Sequence, residues 1–233
     1  MARDKIRGVN ISKRKPPYIR DVYLAEIIEG ARFTDDGYPI IEKWMVATEP
    51  PKELSQWNCR CKVKKPSITG MSFYCTDQYF QPVISNPRNY LDKLSIYQLV
   101  IGLDASPYDN MPPIVQCSQI YVNLAVTYFY GRHGIKVIPN VRLGHVKTYS
   151  SLEAYPKRTL IAIGTNGFVN DKNNRKIFEE QLRLIIDTLN PTGIIVYGTI
   201  PSDIFTYAIE RNIPLYVYES YIHKRRSKSN EGK

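Results

Sequence analysis

Gln98-Leu99-Val100-Ile101-Gly102-Leu103 is an apolar run that ends in Asp104-Ala105-Ser106-Pro107-Tyr108-Asp109-Asn110-Met111-Pro112, a loop of polar residues and prolines. An amphipathic stretch from Ile114 to about Arg132 follows, is stopped by Gly134, and gives way to a second apolar run, Ile135 to Val141, closed by Arg142. This order reads as strand, helix, strand. Joining two parallel strands requires such a crossover, and helices then cover the sheet faces.

Working outward, the alternation continues. Met71 to Cys75 reads as the first strand of the core, and Asn86-Pro87 opens a helix carrying Tyr90, Leu91 and Leu94. Thr159 to Ile163 is a strand ending in Gly164-Thr165-Asn166-Gly167, with Asn170 or Asp171 as cap of a helix whose apolar face is Phe178, Leu182, Ile185 and Leu189. Asn190-Pro191 ends that helix, because proline cannot continue one. Gly193 to Tyr197 is the next strand, Pro201 starts a helix running to about Arg211, and Ile213 to Tyr218 is the last strand. About six strands alternating with crossover helices predict an α/β fold with a mainly parallel sheet. An open doubly wound sheet is favoured over an incomplete (β/α) barrel, since eight strand-helix units cannot be counted.

The segments read as a basic extended arm at 1–20, an irregular N-terminal extension at 21–70, an α/β core at 71–222 and a basic tail at 223–233. Within the extension, Asp21 to Gly30 has the pattern of a short helix, Asp35 to Pro39 of a turn and Ile40 to Ala47 of a strand. Thr48 to Gly70 carries no clear element.

The chain has 233 residues and a formal charge of +10. Residues 1–20 hold seven Lys or Arg against one acid, and residues 224–233 hold five against one, giving +6 and +4. The remaining 203 residues balance, with 20 basic and 20 acidic side chains. Lys13, Arg14 and Lys15 in the first arm and Lys224, Arg225 and Arg226 in the second are therefore the candidates for contact with nucleic-acid phosphate. Arg60, Lys62 and Lys64 alternate with Cys59, Cys61 and Val63. In an extended chain they would share one face and join that set, or form the wet side of an edge strand.

The apolar runs are too short to span a bilayer, and Met1 to Arg20 lacks the apolar core of a signal peptide. The expectation is residence in the cytoplasm, without a membrane partner. The four cysteines lack zinc-binding spacing, and no metal site is expected. The sequence does not specify a cofactor: GxGxxG and GxxxxGK[ST] are absent.

Both candidate architectures hold ligands at the carboxyl ends of their strands. That rule selects Asp104 and Ser106 after one strand, Asn140 and Arg142 after the next, Gly164, Thr165 and Asn166 after the third, Thr199 after the fourth and Glu219 after the last. Asp104 and Arg142 are the catalytic candidates. A partly desolvated carboxylate held ionised by a nearby guanidinium would serve as a base or metal ligand, or would merely cap the next turn. The others are candidates for a small anionic ligand, since Gly164 to Gly167 offers backbone NH groups and polar side chains before a helix. His145 near Arg142 is a further possible member, and Gly-x-Ser-x-Gly and HExxH do not occur.

Ile101 to Pro112, Asn123, Gly134 to Arg142 and Ala162 to Gly167 occur in the order seen in a family catalogued as domain of unknown function 4417, and the chain resembles that family over about residues 70–220. The resemblance implies a setting in phages or mobile elements, without an assigned activity. Asp104 and Arg142 match its pattern. Ala105 stands where the family usually has an aromatic residue and Leu143 where it usually has Trp, so a stacking role does not carry over to either place. Three functions follow as expectations: a nucleic-acid-associated accessory protein with basic arms, an enzyme or nucleotide- or small-anion-binding module with a strand-end cleft, and an inhibitor or partner of a host protein.

Overall fold

The computed structural model describes residues 26–165 and 172–220. Both basic ends, with Lys13, Arg14, Lys15, Lys224, Arg225 and Arg226, lie outside them, as do Asn166 and the caps expected at Asn170 or Asp171. Seven strands are present among the described residues, all paired in parallel. β1 (Glu53–Gln56), β2 (Thr69–Ser72), β3 (Leu99–Ile101) and β4 (Val137–Ile138) form one sheet in that order, and β5 (Leu160–Gly164), β6 (Gly193–Tyr197) and β7 (Leu215–Tyr218) form a second. An isolated parallel bridge between Asn140 and Ala162 spans from the end of the first sheet to the start of the second. Strand order follows chain order in both sheets, without the reversal that marks a doubly wound sheet.

The connections carry the principal helices. α3 (Pro113–Arg132) joins β3 to β4, α4 (Lys172–Leu189) joins β5 to β6, and α5 (Ser202–Glu210) joins β6 to β7, while α1 (Gln81–Ser85) and α2 (Leu91–Ser95) are single turns between β2 and β3. Pro113 opens α3, where its missing N–H costs no internal bond, and Gly134 at φ +85° follows its end. α4 buries Phe178, Leu182, Ile185, Ile186 and Leu189 and stops at Asn190, which takes φ +45°.

Alternate strand residues enter two different cores, as strand geometry requires. Val100, Ile161, Ile163, Ile194 and Val196 pack with the helices in the larger one. Leu99, Ile101, Ile138, Leu160, Ala162, Ile195 and Tyr197 form the smaller one with Tyr74, flanked by Leu54, Tyr216 and Tyr218. This inner cluster draws on both sheets and contains no helix residue.

Several local expectations are corrected. Ile40–Ala47 is not a strand: Lys43–Met45 is a turn of 3-10 helix, and only Val46 bridges to Val137. Residues 26–30, the described part of the expected first helix, form a turn. The featureless 48–70 region contains β1 and the start of β2. Arg60, Lys62 and Lys64 do not line one face of a strand, because Trp57–Lys62 is 3-10 helix. The turn at Asp35–Pro39 is present, with Thr34 N donating to Tyr38 O at 3.0 Å and Gly37 at φ +84°.

Candidate functional site

The parallel register sets the carboxyl ends of β2, β3, β4, β5 and β6 along one rim. Tyr74, Cys75, Asp104, Ser106, Arg142, Gly164 and Tyr197 there line an open cavity of about 160 Å3. Arg142 Nη1 lies 3.5 Å from Asp104 Oδ1, and both side chains are largely buried, at 14% and 12% exposure. The separation exceeds that of a charge-assisted hydrogen bond.

Asn140, two residues before Arg142, links the two ends of the rim. Its Nδ2 donates to Asp104 Oδ1 at 2.8 Å and to Leu103 O at 3.0 Å, while its Oδ1 accepts from the Tyr74 hydroxyl at 2.9 Å. The Tyr155 hydroxyl donates to Asn140 O at 3.3 Å. Asn140 is 3% exposed and fully engaged, so it orients Asp104 rather than presenting its amide to a ligand. Two glycines make the approach possible. A Cβ on Gly102 would stand 2.7 Å from Thr127 Oγ1 and 3.0 Å from Asn140 N, and one on Gly164 would stand 2.9 Å from the Tyr74 ring.

Burial is the largest influence on Asp104 and raises its pKa above the ordinary carboxylate value, against the opposing pull of Arg142 and the Asn140 hydrogen bond; Asp77 pushes in the same direction as burial. Burial thus works against the ionised carboxylate, while Arg142 and the Asn140 hydrogen bond work for it. Tyr74 is raised well above its usual value, first by burial and then by Asp104. Burial likewise pushes the Cys75 thiol up to about 11.

The loop after β3 is anchored from behind. Asn123 on α3 accepts from Ala105 N at 2.8 Å and donates to Ala105 O at 3.0 Å, and Ser106 N donates to Asp77 Oδ2 at 3.3 Å. Asp104 does not cap this turn.

Other expected members fall elsewhere. Thr165 is buried, and its hydroxyl donates to Thr199 O at 2.9 Å, fastening the end of β5 to the chain after β6. Thr199 and Glu219 line a separate depression beside Gly198 and Val217. His145 caps the 3-10 segment Val146–Ala154 by accepting from Lys147 N at 3.2 Å. Lys62 and Lys64 line a further depression with Glu53, Gln56, Tyr197 and Glu219, between β1 and the residue after β7. Arg60 is turned onto Trp57, its guanidinium 4.4 Å from the ring centroid and Nη1 donating to Trp57 O at 3.0 Å. Among the described residues no group of three or more His, Cys, Asp or Glu could hold a metal ion, and no helix is long and apolar enough to cross a membrane.

Three lining residues, Tyr74, Cys75 and Tyr197, are absent from the set that the sequence selects. Tyr197 is the last residue of β6 itself, and Tyr74 and Cys75 read as strand where β2 ends at Ser72, so the strand-end rule applied to the observed β2 selects them.

A family model described as a domain of unknown function (DUF4417) matches residues 36–213. The chain belongs to the DUF4417 family. A relative, the Gene 1 protein of Mycobacterium phage L5, is 25% identical over 151 residues, which cover 64% of this chain and 66% of that protein, just under two thirds of its length. No solved structure matches the chain. The DUF4417 span contains every residue that lines the Asp104–Arg142 cleft and excludes both basic ends. Ala105 and Leu143 are buried in the core, so in this DUF4417 chain neither position offers a surface for stacking.

Proposed function

We propose that this protein binds a small polar ligand in the strand-end cleft, with Arg142 and Asp104 as the groups that recognise it. The observation that carries the reading is the meeting of those two side chains, from the ends of adjacent strands, in a largely buried position that also opens on a cavity. Burying an ion pair costs desolvation that its mutual attraction rarely offsets, so such a pair is weak support for stability and better support for use. Asp104 is the proton donor or acceptor of the cleft if chemistry follows binding.

The frame suits this role. Strand order from β1 to β7, the Asn140–Ala162 bridge and the helix-free inner cluster support an incomplete (β/α) barrel over an open doubly wound sheet. The phage relative supports a protein of a phage or mobile element that acts inside a bacterial host.

A thermal-shift screen of small carboxylates, phosphates and nucleosides tests the reading. A ligand should stabilise the wild type, and Asp104→Ala and Arg142→Ala should each remove that stabilisation while retaining the native circular dichroism. Undiminished stabilisation of both variants would sink the cleft.

The charge distribution supports a second role. With +6 and +4 at the ends of a neutral body, basic arms that contact phosphate would make this a nucleic-acid-associated accessory protein, with Lys62 and Lys64 as additional contacts. Deleting residues 1–20 and 224–233 should then abolish DNA or RNA binding and flatten its dependence on salt. Unchanged affinity would refute it.

A further inference from the structure

Both contacts that Asp104 makes in the cleft fall on one oxygen. Asn140 Nδ2 donates to Oδ1, and Arg142 Nη1 stands nearest the same atom, while among the described residues Oδ2 accepts no hydrogen bond. The Asn140 amide cannot turn to change this, since Leu103 O holds its other Nδ2 hydrogen and the Tyr74 hydroxyl donates to its Oδ1. Oδ1 is thus fixed as an acceptor, and a proton that arrives at the carboxyl group goes to Oδ2.

The charges facing Asp104 come from four places along the rim. Arg142 after β4 is the cation; Asp77, in the 3-10 turn after β2, is a second carboxylate; Tyr74 and Cys75 are both held neutral by burial. An anion entering beside Arg142 would meet the Asp104 carboxylate, which already balances the one guanidinium of the cavity. One proton on Asp104 removes the excess charge and turns a repelling oxygen into a hydrogen-bond donor. Arg142 lines the cavity beside Asp104, and the planar fork of a guanidinium matches the oxygens of an oxyanion. The cavity of about 160 Å3 is below the roughly 300–1,000 Å3 of pockets that enclose larger ligands, which suits an anion of a few atoms.

Resting on the cleft reading above, we infer that the ligand class is a small oxyanion, planar or tetrahedral, that seats on Arg142 and binds together with one proton taken from solvent onto Asp104 Oδ2. The bound complex then has the carboxyl O–H donating to the anion, with Asn140 and Tyr74 as positioning residues that decide which oxygen carries the proton.

Calorimetry of the full chain tests this with sulfate as the tetrahedral probe and nitrate as the planar one, in buffers of different ionisation enthalpy between about pH 5 and pH 8, where neither anion titrates. The expected result is net uptake approaching one proton per anion and an affinity that falls about tenfold per pH unit above the Asp104 midpoint. Asp104→Asn, whose amide donates as the protonated acid does, should bind with an affinity that no longer depends on pH. Arg142→Ala should lose binding throughout. Anion binding without proton uptake, or an unchanged pH slope in Asp104→Asn, overturns the inference and leaves the cleft standing. If neither anion binds while another ligand stabilises the wild type through Arg142, the ligand class is wrong. If nothing binds the wild type at all, both readings fall.

Discussion

The rings of Tyr74 and Tyr197 stack face to face, 4.8 Å between centroids and 9° from parallel, although Tyr74 follows β2 of one sheet and Tyr197 ends β6 of the other. This contact clamps the two sheets together at the cleft floor. Tyr197→Ala should remove the clamp and leave a void, at a cost of about 3–5 kcal/mol for a large aromatic in a core. Tyr74→Phe keeps the ring and loses only its bond to Asn140, so about 1 kcal/mol is expected. Urea denaturation of both variants measures the contrast, and equal losses would show that the stack does not hold the sheets together.

Gly164 is needed at this floor for lack of a side chain rather than for backbone freedom. Its added Cβ would sit 2.9 and 3.0 Å from two atoms of the Tyr74 ring, which cannot retreat because Tyr197 lies stacked against it. Gly164→Ala should therefore destabilise by about 1–3 kcal/mol, the usual cost of overpacking, and change the near-ultraviolet circular dichroism of the tyrosines. A neutral substitution with an unchanged spectrum would show that the floor is softer than the packing implies.

The pH dependence of stability follows from the raised pKa of Asp104. An acid whose folded value lies above its unfolded one binds more protons when folded, so its contribution to stability falls as pH rises from about 4 toward the folded midpoint and is constant outside that window. Asp104→Asn should flatten this decline and leave stability below about pH 4 little changed. Urea midpoints measured across the acid range check it, and a variant with the same slope as the wild type would place the titration elsewhere.

The parts of this fold that were legible in the sequence are those where local pattern and tertiary setting agree. Leu160–Gly164 and Gly193–Tyr197 are apolar on both faces because one face meets helices and the other the inner cluster, and a continuous apolar run is what that environment selects. β1 was not legible because Glu53-Leu54-Ser55-Gln56 is a half-exposed edge strand whose existence depends on pairing with β2. The alternation of Arg60, Lys62 and Lys64 misled for a related reason: Trp57, fixed in the core, sets the 3-10 turn that follows it. Asp104 and Arg142 came from the strand-end rule, which needs only strand limits and direction. Thr165 obeys the same rule in sequence yet faces Thr199 O, since where a side chain points after a strand depends on a backbone turn that no residue pattern specifies.

The cysteines around the cleft give a last test that is independent of any ligand. Cys75 lines the cavity, half-buried, with burial pushing its thiol up to about 11 from 9.0, helped by Asp104, Cys59 and Asp77 and opposed by a backbone hydrogen bond at Asn58. Because the thiolate is the reactive form, a rise of this size cuts its population at pH 8 about a hundredfold. Cys61 lies exposed near the end of the 3-10 turn. Iodoacetamide at pH 8, followed by peptide mass spectrometry, should label Cys61 at least about tenfold faster than Cys75. Asp104→Asn removes the nearby carboxylate and should accelerate Cys75 without touching Cys61. Labelling of the two at equal rates would mean that the rim is open to water at Cys75, and the desolvation on which Asp104 depends would fail with it.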